Sequence, residues 1–271
     1  MNDNYNMNGY QGNGNDGHYA NYNQGGYMDG YQNGGYQGGG YQGGGYYTAA
    51  PSETLGEYMA QTYAWMFVGL LTTFILSFVL FATGYIVYLF VHPYLVFVLT
   101  AVELVLVIAL SARINKMAPT VARMFFITYA VLNGIVFSLY FLMYDMESMI
   151  LAFGGTALFF GVMTFAGYVI KADLSGLGSV LRCGLIALII FWIASIFVNL
   201  TAFETLACTV GMFIFMLLTA YDTQKIKEQY HMYAADGTML KKASIISALQ
   251  LYLDFINLFL YILRLVGKRN N

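Results

Sequence analysis

The chain has 271 residues, of which 59% are hydrophobic and only 10% are charged. Because roughly one-quarter of the residues in an ordinary soluble domain are charged, this composition excludes a single water-soluble globule. The formal net charge is −2 at pH 7, and the sequence has no cluster of Lys and Arg interleaved with aromatic residues. Both features argue against a nucleic-acid-binding function.

The amino-terminal segment, residues 1–50, is predicted to be a disordered cytoplasmic tail. It is rich in Gly, Asn, Gln and Tyr, and it repeats Tyr-Gln-Gly-Gly-Gly at Tyr36 and Tyr41. It lacks the basic region and apolar core of a signal peptide. Such a segment cannot bury enough apolar surface to offset the loss of chain entropy on folding. The tail is therefore either a solubilising segment or, through its tyrosines, a sticker for weak self-association.

Residues 51–271 are predicted to form a transmembrane domain of seven helices. A capping box from Thr54 to Glu57 marks the start of the first helix. Seven apolar runs follow, each near the twenty or so residues that a helix needs to cross a bilayer. They cover residues 63–84, 94–111, 125–143, 149–170, 181–200, 205–221 and 244–265. We therefore expect an all-α membrane protein whose main partner is the lipid bilayer.

The positive charges predict the orientation of these spans, because Lys and Arg in short loops mark the cytoplasmic side. The loops after spans two, four and six carry Arg113, Lys116, Arg123, Lys171, Arg182, Lys225, Lys227, Lys241 and Lys242, and the opposite loops carry none. The amino terminus is therefore predicted to be cytoplasmic. Arg264, Lys268 and Arg269 follow the last span. A full crossing of the membrane by the last span would place these three residues outside the cytoplasm. Either that span is therefore atypical, or the rule that positive charges mark the cytoplasmic side does not hold after it.

Three acidic residues fall where a membrane should reject them, at a cost on the order of a few kcal/mol for an unpaired charge. Glu103 lies midway along span two, Asp254 lies midway along span seven, and Asp222 ends the apolar run of span six. Glu103 has no cation in its own span, so it is protonated, paired with another helix or exposed to water. Asp222 has Lys225 one helical turn away and could simply pair with it at the membrane surface.

Span seven carries a polar stripe in addition to its acid. Ser247, Gln250, Asp254 and Asn257 recur at steps of three, four and three, which places them on one face of a helix. Lipid cannot solvate such a face, so the helix must turn it toward other helices or a water-filled cavity in the middle of the bundle. The alternative is a face that only forms hydrogen bonds between helices.

The remaining reactive side chains do not indicate an enzyme, a cofactor or a resident metal. Cys183 and Cys208 lie in or beside apolar runs, where a thiol behaves as a small hydrophobe. The histidines His18, His92 and His231 lack the spacing of metal ligands. We therefore expect no disulfide framework and no catalytic metal.

Four stretches of the sequence resemble the Bax inhibitor-1 family, with a close match to its bacterial members. They are LTAYDTQKIK at 218–227, ALQLYLDFINLF at 248–259, YAWMFVGLLT at 63–72 and IKADLS at 170–175. The resemblance covers everything except the tail. It implies a seven-helix bundle in which the last helix is wrapped by the other six, in a bacterial inner membrane.

The resemblance also implies a function, which is a pH-sensitive calcium leak. The two motif aspartates of the family, described as a proton-sensing pair, match Asp222 and Asp254, which would also make transient contacts with calcium. Glu103 matches the acid of the second helix. Arg113 is the candidate for an arginine that latches the helix-six acid, although an ordinary cytoplasmic anchor is its alternative interpretation.

This mechanism requires that the two aspartates meet. Two carboxyl groups in one low-dielectric site cannot both ionise cheaply, so the pair would share a proton and act as a pH gate. Counting depth opposes the contact, because Asp254 lies about ten residues, or about 15 Å, from Ser244, whereas Asp222 ends its apolar run. Pairing is therefore carried by the resemblance and not by the depth count.

Two other function classes remain open from the sequence. Paired aspartates in neighbouring spans also suggest an intramembrane aspartyl protease, but Leu251, Tyr252 and Leu253 stand where such proteases have Gly-x-Gly before the second aspartate. A membrane scaffold that regulates partner proteins would leave the acids dispensable. The identity of any protein partner cannot be read from the residues.

Overall fold

The structure, a computed structural model, describes residues 53–270, and seven helices in this range are long and apolar enough to cross a membrane. The helices are α1 (Leu55–Ala82), α2 (Ile86–Val91), α3 (Pro93–Arg113), α4 (Pro119–Phe137), α5 (Tyr140–Met143), α6 (Met146–Val169), α7 (Ser175–Phe197), α8 (Glu204–Tyr233) and α9 (Gly237–Val266). The short α5 completes the third span after α4. The predicted all-α class and the seven spans are confirmed, whereas the predicted tail lies outside the described residues.

Side chains in the connecting segments start several of these helices. Thr54 and Glu57 form the predicted capping box, in which the Glu57 N–H donates to Thr54 Oγ1 at 3.3 Å and the Thr54 N–H donates to Glu57 Oε2 at 2.7 Å. Asp145 accepts from the Ser148 N–H at the start of α6. Asp236 accepts from two backbone N–H groups at the start of α9. These oxygens satisfy backbone donors that have no partner within the helix.

The last helix, α9, lies at the centre of the bundle, as predicted. In its apolar stretch 72% of the residues are buried, compared with 11% for α3 and 11% for α7. It packs against α8, α1, α6 and α4. A helix surrounded by protein on all sides does not need a lipid-compatible surface, so α9 can carry polar side chains that α3 and α7 cannot present outward.

Small residues allow the helices around α9 to approach closely. A methyl group added to Gly167 of α6 would overlap the backbone of Ala220 in α8, and one added to Gly134 of α4 would meet the backbone of Thr73 in α1 at 3.0 Å. Where α1 and α4 meet, Thr73 Oγ1 donates to the Ala130 carbonyl at 3.0 Å. Close backbone contact and such hydrogen bonds stabilise helix pairs in lipid, where no hydrophobic force drives them together.

The sixth span differs from the prediction that it ends near residue 221. α8 continues for three more turns to Tyr233, and α9 begins at Gly237, seven residues before the predicted start. The extension is helical because Thr223, Ile226 and Tyr230 continue a buried face at steps of three and four beyond the apolar run. Asp222 therefore lies inside a long helix and not at its end.

The carboxyl-terminal segment shows that α9 runs from one end of the helix bundle to the other. At 30 residues, α9 is about 45 Å long, more than the hydrocarbon thickness. Beyond it, the Lys268 N–H donates to Ser148 Oγ at 2.9 Å and the Asn270 N–H donates to the Met143 carbonyl at 2.9 Å. Residues 268–270 therefore lie at the end of the bundle opposite the basic loops. We call the side with the loops after spans two, four and six the basic end, and the other the opposite end.

Candidate functional site

α8 and α9 pair in an antiparallel register that repeats every seven residues. Ser247 Oγ donates to Gln229 Oε1 at 2.6 Å, the buried side chains of Asp222 and Asp254 are close enough to interact with each other, and the rings of Phe215 and Tyr261 lie 5.8 Å apart between centroids. The partners on each helix are seven positions apart, the spacing that keeps two helices in contact along a seam. The expected Asp222–Asp254 contact is therefore one step of a continuous helix pair.

The sequence wrongly placed the two acids at different depths, because each depth was measured from the end of that helix's own apolar run. The longer α8 and the earlier start of α9 shift the two helices so that their acids lie at one level. Tyr63 of α1 supports this level, since its hydroxyl contacts Thr223 Oγ1 at 3.1 Å. The register is thus set by contacts along the whole length of the pair.

A cavity of about 520 Å³ adjoins the two aspartates and is lined by residues of α3, α4, α7, α8 and α9. Its wall is largely apolar. The charged and carboxamide side chains that line it are Glu103, Arg182, Asp222, Lys225, Gln250, Asp254 and Asn257. An apolar cavity with a few convergent polar groups is the usual form of a functional site.

The three acids of this cavity are all buried, with relative exposures of 8% for Glu103, 8% for Asp222 and 4% for Asp254. Two of their oxygens, Glu103 Oε1 and Asp254 Oδ2, have no hydrogen-bond partner among the described residues. Glu103 is one of the two buried residues of α3. Buried carboxyl oxygens without partners are costly in a fold and are available to a cation, a water molecule or a proton.

The cations at the cavity are not the one that the sequence suggested. Arg113 is exposed at the end of α3 and does not line the cavity, so it is not in position to hold Asp222. Arg182 and Lys225 line the cavity instead. Arg182 lies inside α7, not in a loop, and its Nε donates to the Gly178 carbonyl at 2.9 Å. The sequence indicated Lys225 as a possible partner of Asp222, one helical turn away, whereas Arg182 was noted only as a marker of topology.

The polar stripe of span seven divides into two parts. Gln250, Asp254 and Asn257 line the cavity, so the cavity interpretation applies to them. Ser247 instead bonds to Gln229 of α8, so interhelical hydrogen bonding describes its contact. Within residues 53–270, no three His, Cys, Asp or Glu side chains come together as a metal site. A cation here would therefore depend on carboxamide, hydroxyl or water oxygens in addition to the aspartates.

Comparison with known proteins identifies the family. The family model described as "Inhibitor of apoptosis-promoting Bax1" matches residues 55–271. The chain belongs to the Bax inhibitor-1 family. It is 39% identical over 221 residues to the inner membrane protein YbhL of Escherichia coli K12, a match that covers 81% of this chain and 94% of YbhL. It is 34% identical over 213 residues to an uncharacterized protein of Deinococcus radiodurans, with 79% and 91% of the two chains covered.

This Bax inhibitor-1 family protein has a second cavity, of about 310 Å³, further along α9 toward the opposite end. It is lined by α7, α8 and α9 and shares Leu185, Ile189, Phe215 and Asn257 with the first cavity. Asn257 is the polar residue at the junction. The two cavities thus adjoin each other along one face of the central helix.

The polar face of α9 also extends beyond the stripe recognised in the sequence. Tyr261 and Arg264 follow Asn257 at steps of four and three. Tyr261 lines the second cavity, and its hydroxyl accepts from Trp192 Nε1 at 3.2 Å. Arg264 stacks on the same Trp192, with its guanidinium carbon 4.2 Å from the ring centroid. We call the face formed by Gln250, Asp254, Asn257, Tyr261 and Arg264 the polar seam.

Proposed function

We propose that this protein is a pH-sensitive, calcium-permeable leak pathway of the bacterial inner membrane, with its amino terminus and basic end in the cytoplasm. The observation that carries the proposal is the interaction of the buried Asp222 and Asp254 side chains beside a cavity that five helices of the bundle line. The bacterial relative YbhL is named an inner membrane protein.

Proton sensing follows from the proximity of the two acids. A pair of carboxyl groups in contact and away from water holds one shared proton over part of the physiological pH range, since two adjacent negative charges are too costly there. Loss of that proton adds a negative charge to the cavity. The new charge attracts Arg182 and Lys225, which line the same cavity. Protonation and deprotonation therefore favour different positions of α7 and α8.

Calcium permeation follows from the chemistry of the donors. The cavity offers carboxyl oxygens from Glu103 and Asp254 that have no hydrogen-bond partner in the described part of the chain, together with the carboxamides of Gln250 and Asn257. Hard cations such as calcium prefer oxygen ligands of these kinds. Opening and closing require wall helices that can shift, and α3 and α7, which have few buried residues, form much of the cavity wall.

Calcium flux into proteoliposomes at pH 6 and pH 8 tests the proposal. The wild-type flux should change between these values, a window expected of a carboxyl pair with a shared proton. Asp254→Asn preserves size but removes the titrating group, so this variant should fold and lose the pH response. Asp222→Asn should blunt the response too, and the double variant should be little worse than either single one because the two sites are coupled.

Glu147→Gln is the matched control, since it neutralises an exposed acid at the opposite end. Its pH response should equal that of the wild type. If Asp222→Asn and Asp254→Asn both kept wild-type flux with unchanged pH dependence, the gate would be refuted, and a scaffold function in which the acids are dispensable would replace it.

A second pair of variants tests which cation responds to the aspartates. Both arginines are exposed, but Arg182→Gln removes a charge that lines the cavity, whereas Arg113→Gln removes a charge at the end of α3 that does not line it. We expect Arg182→Gln to shift the pH midpoint of calcium flux and Arg113→Gln to leave it unchanged. The reverse result would restore Arg113 as the latch.

Reporter fusions test the orientation. An enzyme that is active only outside the cytoplasm should be inactive when fused after Lys171 and active when fused near Asp145, because these positions lie at the two ends of the bundle. Activity after Lys171 would invert the topology.

A further inference from the structure

We propose that Arg264, stacked on Trp192, is the plug that closes the polar seam against water and cations at the opposite end of the bundle. The inference deepens the proposed function, since it names the residue that shuts the route beyond the aspartates. It begins with the seam itself. From Gln250 to Arg264 the seam runs about 21 Å along α9, roughly two-thirds of the hydrocarbon thickness.

Two cavities cover most of this length. The larger one lies over Gln250, Asp254 and Asn257, and the smaller one lies over Asn257 and Tyr261. A chain of polar side chains flanked by two adjoining cavities is a route that water and a hydrated cation can follow, provided that its ends open.

The route ends at three side chains, two of which contact the third, Trp192. Trp192 of α7 forms part of the wall of the smaller cavity, its Nε1 donates to Tyr261 at 3.2 Å, and its ring carries the Arg264 guanidinium at 4.2 Å. Arg264 also lies near enough to the buried Cys208 of α8 to interact with it electrostatically. The guanidinium thus links α7, α8 and α9 at the point where the seam reaches the opposite end.

The chemistry of this closure suits the exclusion of cations. A guanidinium remains charged at every physiological pH, so it repels a cation that approaches from the opposite end whatever the state of the aspartates. Its contact with an indole ring is strongest where water is scarce. The closure is therefore independent of the proton shared by Asp222 and Asp254, and it opens only if α7 moves away from α9.

A cysteine at the junction of the two cavities reports the closure without any measurement of calcium. In a background with Cys183→Ser and Cys208→Ser, Asn257→Cys places a single thiol two turns below Arg264. A membrane-impermeant cationic thiosulfonate is applied to spheroplasts, where it reaches the opposite end, and to inverted vesicles, where it reaches the basic end. Labelling from the opposite end should be slow, and Arg264→Gln should accelerate it about tenfold, as expected for the loss of one half-buried cation–π contact.

Arg269→Gln is the matched control. Arg269 also lies at the opposite end, but it pairs with Glu204 at 3.3 Å and is largely exposed. This variant removes the same charge away from the seam and should leave the labelling rate unchanged. Trp192→Leu, which removes the ring and keeps apolar bulk, should accelerate labelling as Arg264→Gln does. It replaces Arg264→Gln if that variant does not reach the membrane.

The outcomes separate this inference from the proposed function. Unchanged labelling in Arg264→Gln and Trp192→Leu, or equal acceleration by Arg269→Gln, overturns the plug even if the wild type carries pH-sensitive calcium flux. A wild type without calcium flux refutes the proposed function, while accelerated labelling in the two seam variants still supports the plug. Where both hold, Arg264→Gln also raises calcium flux at pH 6 and at pH 8.

Discussion

The central helix α9 and the peripheral helix α3 are both apolar enough to cross a membrane, yet they have opposite surroundings. Most of the apolar stretch of α9 is buried, whereas α3 buries two residues, Glu103 and Leu110. α9 carries Ser247, Gln250 and Asp254 among its neighbouring helices. Protein replaces lipid as the solvent of α9, so polar groups can find partners there, whereas the outer surface of α3 must suit hydrocarbon.

In this bundle, the helices that provide most of the stabilising contacts differ from the helices that can shift. Contacts of α9 with α1, α4, α6 and α8 hold the bundle together, while α3 and α7 form the cavity wall with few buried residues of their own. A substitution in α9 should therefore reduce stability strongly. The same substitution in α3 should be nearly silent in stability.

The largest expected difference compares two isoleucines. Ile245 of α9 has 0% relative exposure and Ile108 of α3 has 58%. Ile245→Ala leaves a cavity among packed side chains and should cost about 2 kcal/mol or more of unfolding free energy. Ile108→Ala should cost about 0.5 kcal/mol or less, since lipid chains fill the space. Thermal unfolding of both purified variants in the same detergent measures the difference. Equal losses of unfolding free energy would show that Ile108 of α3 is packed against protein.

The next effect concerns close helix contact, tested by two glycines of α6. A methyl group on Gly167 would overlap the backbone of Ala220, whereas one on Gly161 would meet nothing within 4 Å. Gly167→Ala must push α6 away from α8 and should cost about 1–3 kcal/mol. Gly161→Ala should be neutral or slightly stabilising because alanine favours a helix. Thermal unfolding of the two variants tests this prediction. A Gly167→Ala protein as stable as the wild type would mean that α6 and α8 can move apart without loss of unfolding free energy.

A smaller effect is expected from one buried hydrogen bond. The Tyr252 hydroxyl of α9 contacts Thr73 Oγ1 at 2.6 Å, and Tyr252 is fully buried. Tyr252→Phe should cost about 0.6 kcal/mol and at most about 1.7 kcal/mol, the average and the maximum found for hydrogen bonds between membrane helices. Tyr94→Phe, at an exposed tyrosine of α3, should change nothing. Equal unfolding midpoints for the two variants would show that this bond adds no net stability.

The smallest effect lies in the loop before α6, outside the spans. The Ser148 side chain and backbone hold the pKa of the Asp145 carboxyl below its usual value. A lowered pKa stabilises the fold above the usual value of about 3.9, and this stabilisation disappears as the pH falls through the folded-state pKa.

Acidification from pH 6 to pH 3 should therefore lower the unfolding midpoint through this cap by about one or two degrees. Asp145→Asn should remove that part of the pH dependence. Glu147→Gln, in the same first turn of α6, should retain it. A pH profile of Asp145→Asn identical to that of the wild type would exclude the cap as its source.

The sequence by itself determined the class, the number of spans, the family, and the three acids and two carboxamides that line the cavity. Hydropathy is a local property, so runs of apolar residues reveal spans without knowledge of their neighbours. The steps of three and four from Ser247 to Asn257 likewise required only helical geometry, and they correctly predicted that this face of α9 points into the bundle. The capping box at Thr54 was equally local.

Tertiary structure alone decided how the helices meet. The level of Asp222 relative to Asp254 depends on an amphipathic extension of α8, which carries too few apolar residues to read as a span. Whether Arg113 or Arg182 lines the cavity depends on which face each helix turns inward. Trp192 and Arg264 lie 72 positions apart in the chain, and only the tertiary fold, in which α7 packs on α8 and α8 packs on α9, brings them together. Register and helix rotation are set by long-range contacts, which no local pattern of residues records.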